Sequence, residues 1–237
     1  MTTLVEALWY ASSMRISVII PTLNEAACLA ETLAHARALG KVEIVIADGG
    51  SSDGTLNIAR SADLLLDAPR GRASQLNAGA RASHGEVLLF LHADCWLEAG
   101  SLEALRRALD DPGCVAGCFQ QAIGAAGWKY RALERGNAIR ARLLGWIYGD
   151  QGLFVRRETF ERLGGFPLLP LMEDLYFAKQ LKRAGRVALV DSLLHVSARR
   201  WQRQGVLRRT VRNWSLIALA HAGVSMERLA RTYQVVR

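Results

Sequence analysis

An apolar run that stops at polar side chains is the first place where this chain could do chemistry. The segment 86–94 reads EVLLFLHAD, so the run ends at His92 and Asp94. Such a run is typical of a strand buried on both faces of a sheet, and its end then lies at the edge where open α/β folds bind ligands. A carboxylate at that edge can hold a hard cation against a phosphate. The same pattern also fits a strand whose aspartate only caps the following turn.

A glycine-rich turn supplies two further carboxylates. Residues 48–55 read DGGSSDGT and stand between an apolar strand pattern at 42–47 and a helix beginning near Thr55. The turn fits neither the dinucleotide motif G-x-G-x-x-G nor the P-loop motif G-x-x-x-x-G-K-[ST]. Asp48 or Asp53 could accept hydrogen bonds from a base or a ribose, or both could simply cap the turn.

The elements that must position these residues alternate between strand and helix. The order β-α-β-α-β-α-β over the first 94 residues predicts a parallel, Rossmann-like sheet. Asn24 is expected to cap a helix that runs to Leu39. Later helices are predicted at 101–109, 128–144, 158–163 and 173–184, and later strands at 115–123, 153–155 and 187–190. We therefore predict an α/β fold in which the second half extends the same, mostly parallel sheet.

Length and composition suit one domain with a helical appendage. The 237 residues are 51% hydrophobic, which is ample for a core, and no apolar run is long enough to span a bilayer. The cysteines at 28, 95, 114 and 118 form no C-x-x-C pair, which predicts free thiols in a reducing cytoplasm. Residues 1–13 contain no Lys or Arg, so we expect a dispensable extension rather than a secretory signal.

The net charge of +8 falls entirely in the C-terminal segment. From Ser197 onward the chain has nine arginines and one acid, Glu227, whereas the first 196 residues balance 21 basic against 21 acidic residues. A nucleic acid, an anionic membrane or a phosphorylated ligand could each explain this excess. The segment lacks the interleaved aromatic residues of a single-strand binder, so we do not expect nucleic acid as a partner.

The same basic segment predicts an amphipathic helix. The spacing of Leu207, Val211, Trp214 and Ala218 puts them on one face, and Arg208 and Arg212 lie away from it. This helix could pack on the domain and leave its basic face to solvent. It could instead lie on the surface of an anionic membrane.

Three motifs resemble the signature of family 2 glycosyltransferases with the GT-A fold. They read SVIIPTLNE at 17–25, IADGGSSDGT at 46–55 and LHAD at 91–94, in the order and spacing of that family. The His-Ala-Asp sequence and a later SARRW at 197–201 resemble a small bacterial branch, the radical-SAM/selenodomain-associated transferases. The predicted units are an extension at 1–13, a GT-A domain at 14–196, and a basic helical segment at 197–237. Within the domain, 14–96 would be the nucleotide-binding half and 97–196 the acceptor half.

The resemblance implies a role for individual residues. Asp174 would be the catalytic base, and Asp94 would be the metal-binding aspartate of the D-x-D motif. His195 would join the metal site, and His92, which replaces the first aspartate of that motif, could also do so. The nucleotide and donor pocket would be lined by Pro21, Thr22, Leu23, Glu25, Asp48, Arg72 and Asp94. The loop near donor and acceptor and the acidic pair would add Gly149, Asp150, Gln151 and Glu173.

The implied reaction is an inverting transfer of a sugar from a nucleotide-sugar donor, a UDP-sugar above all, to an acceptor hydroxyl. The acceptor would be lipid-linked or phosphorylated, and the enzyme would act in the cytoplasm or on the inner face of the membrane. A divalent metal, Mn²⁺ or Mg²⁺, would assist. Because His92 stands in place of an aspartate, Mg²⁺ should bind more weakly. Mn²⁺, which tolerates imidazole better, should be favoured. The alternative is a catalytically weak nucleotide-binding or membrane-docking scaffold.

Overall fold

The computed structural model describes residues 14–232, without the side chains at 200, 203, 204, 207, 209, 221 and 232. The predicted extension at 1–13 therefore lies outside the described residues, as do residues 233–237. Among the described residues, eight strands form one sheet.

The first half of the chain forms the parallel part of this sheet. Its strands are β1 (Ile16–Thr22), β2 (Glu43–Asp48), β3 (Leu64–Asp67) and β4 (Val87–Phe90). They pair in parallel, as predicted. The helices between them are α1 (Leu29–Ala38), α2 (Thr55–Ala59) and α3 (Arg72–Ala82).

The second half extends the sheet with strands of both directions. Its strands are β5 (Cys95–Leu97), β6 (Cys114–Ile123), β7 (Phe154–Arg156) and β8 (Arg186–Val196). β7 lies antiparallel between β4 and β6, β8 runs parallel to β6, and β5 is antiparallel to β8. Its helices are α4 (Ser101–Leu109), α5 (Trp128–Leu144), α6 (Arg157–Arg162) and α7 (Glu173–Ala184), with a short 3-10 turn at Gly149–Gln151.

Two apolar layers cover the two faces of the sheet. Because side chains alternate along a strand, Val18 of β1 packs in one layer with Leu29 of α1, and Ile19 packs in the other with Leu76 of α3. Helices α1 and α3 therefore lie on opposite faces. α3 also approaches the sheet closely, since a Cβ at Gly79 would lie 2.6 Å from Ile19. This packing fixes the start of α3, and with it Arg72, at the carboxyl edge of the parallel strands.

Two expected boundaries were wrong, and the strand before His92 ends where the apolar run predicted. Helix α1 begins at Leu29, and Asn24 does not cap it: Asn24 has a φ of 57° and its Oδ1 accepts a hydrogen bond from the Ser52 N–H at 2.8 Å. Strand β4 ends at Phe90, so His92 and Asp94 lie in the segment beyond it. Strand β8 continues to Val196, because residues 191–192 bulge out opposite the Phe119–Gln120 step and interrupt the alternation that the sequence shows.

Three helices follow the sheet: α8 (Arg199–Gln204), α9 (Val206–His221) and α10 (Met226–Thr232). The apolar face expected on α9 is exposed, since Val211 is 64% and Trp214 71% exposed, whereas Leu216 on the other side is buried. Packing of that face on the domain, one of the two alternatives, is therefore wrong. No helix within residues 14–232 is both long and apolar enough to cross a membrane.

Candidate active site

Arg72 joins three parts of the chain at the carboxyl edge of the sheet. It is the first residue of α3, and its Nη1 donates to Glu173 Oε1 at 2.8 Å and lies 3.4 Å from Asp174 Oδ2. Its Nη2 lies 2.7 Å from His92 Nε2. Residues that are 20 and more than 100 positions from Arg72 in the sequence thus meet at one guanidinium.

Burial and charge set the ionisation of this group. Burial by itself lowers the pKa of Arg72, but the carboxylates of Glu173, Asp174 and Asp150 outweigh it and hold the pKa above its ordinary value. Burial likewise raises the pKa of Glu173, which is 5% exposed, and the charge of Arg72 offsets only part of this rise. Arg72 is therefore the fixed positive charge of the site.

Asp174 is oriented by backbone donors on both oxygens. Its Oδ2 accepts from the Gly149 N–H at 2.6 Å, and its Oδ1 accepts from the Leu175 N–H at 2.7 Å. The residue before the acidic pair, Met172, has a φ of 62°, which turns the chain sharply into α7. The first turn of α7 thus presents Asp174 to the 3-10 turn Gly149–Gln151.

His92 is engaged by Arg72 through its only acceptor nitrogen. An arginine donates hydrogen bonds and cannot accept them, so we assign the neutral tautomer in which Nε2 accepts and Nδ1 carries the proton. The lone pair of Nε2 therefore accepts a hydrogen bond from the Arg72 guanidinium. Coordination of a metal by this nitrogen would require Arg72 to move away.

Side chains of α5 and β6 hold the Gly149–Gln151 turn in place. Arg140 donates to Gln151 Oε1 at 2.5 Å and stacks on the Tyr148 ring with its guanidinium carbon 3.4 Å from the ring centre. Gln121 of β6 donates to the Asp150 carbonyl at 2.9 Å. These contacts fix the turn against which Arg72 and Asp174 pack.

The carboxylate of Asp48 is used inside its own turn. Its oxygens accept from the Thr22 and Ser51 hydroxyls at 2.8 and 2.6 Å, and from the Gly50 and Ser51 N–H groups at 2.9 and 2.7 Å. Burial raises the pKa of Asp48, which is 1% exposed, but these hydrogen bonds outweigh it, so the pKa lies below its ordinary value. Its predicted contact with the base stays a prediction.

We expect Asp48→Asn to destabilise the fold by about 1–3 kcal/mol at neutral pH, because an amide cannot accept at both positions. The depressed pKa of Asp48 gives stability that is present above the unfolded pKa of about 4 and lost as pH falls through the folded pKa. The difference between wild type and variant in urea unfolding should therefore shrink at acid pH. Asp67→Asn, at the exposed end of β3 opposite Asp48, is the matched control and should be neutral. Equal stability of wild type and Asp48→Asn at pH 7 would contradict this account.

A second group of site residues surrounds Cys28 at the start of α1. The thiol lies 3.4 Å from Glu25 Oε2, and burial, the Glu25 carboxylate and the nearby Asp94 together raise its pKa to about 12, against the opposing effect of Arg199. Asp94 itself is half-buried, with Oδ1 3.7 Å from the Cys95 thiol. Glu25, Asp94 and Arg199 of α8 thus all lie near the Cys28 thiol. All four cysteines are free and buried, as predicted.

His195 contacts Trp96 and Glu98 rather than Asp94. Its ring stacks on Trp96 with centroids 3.7 Å apart, and His35 stacks on the same indole at 4.5 Å. His195 Nε2 lies 3.8 Å from Glu98 Oε1, beside a cavity of about 270 Å³. Across residues 14–232, no group of three or more His, Cys, Asp or Glu side chains is arranged to hold a metal ion. The predicted metal roles of Asp94 and His195 stay predictions.

Two residues that the motifs did not indicate help to build the site. The buried Gln75 amide donates to the Thr22 and Ala47 carbonyls at 2.7 and 2.8 Å and so ties the ends of β1 and β2 together. Asn77 exchanges two hydrogen bonds with the backbone of Phe166, at 2.8 and 2.9 Å, which joins α3 to the segment before α7. Polar residues at 72, 75 and 77 in an otherwise alanine-rich helix were the available signal. Pro21, Leu23 and Glu25 are partly exposed at the end of β1, and Thr22 is buried.

Comparison with known proteins identifies the family. Residues 17–163 match the family described as Glycosyl transferase family 2, and this span is more than half of the chain. The chain therefore belongs to glycosyl transferase family 2.

Similar proteins come from archaea and bacteria. Glycosyltransferase AglE of Haloferax volcanii is 29% identical over 188 residues, which are 72% of this chain and 62% of AglE. The undecaprenyl-phosphate 4-deoxy-4-formamido-L-arabinose transferase of Edwardsiella ictaluri is 30% identical over 155 residues, which are 60% of this chain and 48% of that protein. The chain thus spans less than two thirds of the length of these relatives.

Solved structures confirm the predicted GT-A fold. The crystal structure of S. aureus TarS 1–349 in complex with UDP-GlcNAc matches with a TM-score of 0.62 at 18% identity. The match covers 78% of this chain and 58% of that chain. At this identity the likeness shows the fold alone.

Proposed function

We propose that this chain is an inverting glycosyltransferase that moves a sugar from a nucleotide-sugar donor to an acceptor hydroxyl, with Asp174 as the base. The observation that carries the proposal is the junction at Arg72. There the segment after β4, the start of α3 and the acidic start of α7 meet within hydrogen-bonding distance. Charged groups gathered at the carboxyl edge of a sheet are typical of a ligand site in α/β folds.

Arg72 has a buried donor available for a ligand. Its Nε–H is buried and has no hydrogen-bond partner among the described residues. A buried donor without a partner costs about 1–3 kcal/mol, so such groups call for an explanation. A phosphate oxygen of the donor would satisfy it with a charge-assisted hydrogen bond.

Asp174 suits a general base that acts in a single displacement. The carboxylate would accept the proton of the acceptor hydroxyl as that oxygen attacks the anomeric carbon from the side opposite the leaving diphosphate. The configuration at that carbon then inverts. The two backbone N–H groups that bind Asp174 fix its orientation before the acceptor arrives.

A divalent cation fits this site only together with the donor. Asp94 offers one carboxylate, and Mg²⁺ is usually bound by one or two carboxylates, the phosphates of the substrate and water. Mn²⁺ or Mg²⁺ held there would neutralise charge on the departing diphosphate. Because His92 Nε2 is bound by Arg72, we assign the cation to Asp94 and the donor rather than to His92 or His195.

The relatives support the proposed donor and acceptor classes. The TarS structure was determined with UDP-GlcNAc, and the Edwardsiella relative is named for undecaprenyl-phosphate. We accordingly propose a UDP-sugar as donor and a lipid-linked or phosphorylated acceptor. Membership of the radical-SAM-associated branch stays a prediction.

Thermal unfolding with Mn²⁺ alone, UDP alone and both together tests the donor site. We expect the cation alone to leave the melting temperature unchanged, and the pair to raise it more than the sum of the two, because ligands that bind the native state stabilise it. Asp94→Asn should remove the added effect of the cation while UDP alone still binds. A full shift by Mn²⁺ without nucleotide would contradict the assignment. Nucleotide binding without donor turnover would instead favour the scaffold alternative.

A further inference from the structure

We propose that the exposed face of α9 docks the protein on an anionic phospholipid membrane. This inference rests on the proposed function in one respect: it would place the site beside a lipid-linked acceptor. The docking surface is defined here as Arg208, Val211, Trp214, Ala218 and Leu219, which are all exposed.

Among residues 14–232, the apolar part of the docking surface is left largely unpacked. Val211, Trp214 and Leu219 are 64%, 71% and 45% exposed, whereas Leu216 on the opposite side of the helix is 7% exposed. The helix is thus attached to the protein through one side and offers indole and aliphatic groups on the other. Tryptophan with aliphatic neighbours on an exposed helix face is characteristic of helices that lie in the membrane interface.

The charge around this surface selects an anionic partner. The sequence of α9 contains arginines at 208, 209 and 212 and no acidic residue. The whole excess charge of the chain, +8, lies from Ser197 onward. Basic residues beside an apolar helix face are attracted to the negative surface of a bilayer that contains anionic lipids. A protein partner would match the docking surface less directly than a bilayer, since it would need a concave groove that is both acidic and apolar.

Helix α5 has the same character and leads to the active site. Trp128, Ile139 and Leu143 are 74%, 57% and 69% exposed, and Lys129, Arg135 and Arg142 are exposed between them. This helix ends five residues before the Gly149–Gln151 turn. Near the other end, α5 packs through Tyr130 and Leu133 against the apolar layer that includes Trp201 of α8. A second basic, apolar helix thus borders the site.

Vesicle sedimentation tests the proposal with the full chain. We expect the protein to bind vesicles of phosphatidylcholine and phosphatidylglycerol in equal parts, to bind pure phosphatidylcholine weakly, and to be released by high salt. Trp214→Ser should weaken binding about tenfold or more, and Arg208→Gln should weaken it on the anionic vesicles only. Both residues are exposed, so these variants are expected to fold. Leu168→Ser, a 74% exposed leucine outside the helices, is the matched control and should bind as wild type does.

Three results would overturn the proposal: equal binding of both kinds of vesicle, unchanged binding by Trp214→Ser, or a Trp214-dependent dimer in light scattering. The last would show that a second copy covers this surface. Donor hydrolysis without vesicles is measured in parallel. Donor hydrolysis does not require a membrane. If the protein hydrolyses the donor but fails to bind vesicles, the docking surface alone is rejected. If the protein binds vesicles but does not hydrolyse the donor, the proposed function alone is rejected.

Discussion

Asp174→Asn is expected to lower sugar transfer by about 10²–10⁴-fold while donor binding is retained, because general base catalysis contributes about that much. Asp174 touches the Gly149 N–H and Arg72 in the structure, whereas the nucleotide residues at the end of β1 lie on other elements. The variant removes the group that takes the proton and leaves the donor-pocket residues at the end of β1 in place. An effect on kcat with little change in the Kd of UDP is therefore the expected signature.

Glu173→Gln is the matched control for this variant. Its amide oxygen can still accept from Arg72, as Glu173 Oε1 does at 2.8 Å, so only the charge is lost. We expect a smaller loss of transfer than in Asp174→Asn. Turnover by Asp174→Asn within threefold of wild type, or a larger loss in Glu173→Gln, would remove Asp174 from the role of base.

Arg72→Ala is expected to destabilise the protein by about 3 kcal/mol and to weaken donor binding. The buried Glu173 would lose its partner charge, and removal of one member of a buried ion pair costs about 3–5 kcal/mol. We take the low end of that range because the Arg72 side chain is 32% exposed. Arg72→Lys keeps the charge, but an ammonium cannot bridge His92 and Glu173 with a planar fork, so it should restore stability only in part. Urea unfolding and UDP titration provide the two readouts.

Gly149→Ala tests the same junction without removing a charge. A Cβ at Gly149 would lie 1.6 Å from Arg72 Nη2, so the guanidinium would have to leave its partners. The backbone at Gly149 is outside the left-handed region, so alanine adds no backbone strain there. We expect a cost of about 1–3 kcal/mol in the wild type and almost none in the Arg72→Ala background. Additive effects in this double-mutant cycle would show that the two residues act independently.

The sequence predicted the elements whose signals are local. Helices α4, α5 and α7 begin and end where their periodicity places them, and the parallel order β3-β2-β1-β4 follows from alternation with helices. The continuation of β8 past residue 190 was missed because the bulge at 191–192 depends on pairing with β6, a partner distant in the chain. The three-residue strand β5 was missed because so short a run has no period to detect.

The residues of the candidate site were predicted, but the contacts between their side chains were not. The resemblance to family 2 glycosyltransferases implied Arg72, Asp150, Glu173 and Asp174, and the structure brings them together. The sequence could not indicate that His92 accepts a hydrogen bond from Arg72, since that contact depends on how α3 packs on the sheet. His195 is a second example. It pairs with Trp96 across β5 and β8, which places its ring against that indole, and the motifs did not indicate this contact. The roles of single residues stay predictions that the resemblance implies, whereas their side-chain partners are set by packing.

The configuration at the anomeric carbon of the product tests the single displacement most directly. The protein, Mn²⁺ and a panel of UDP-sugars with α-linked donors would be incubated, and the released or transferred sugar would be observed by NMR before it mutarotates. A single displacement predicts metal-stimulated release of UDP with a first-formed product of β configuration, and loss of that signal in Asp174→Asn. A first-formed α product, or the same turnover in Asp174→Asn, would contradict a single displacement with Asp174 as base.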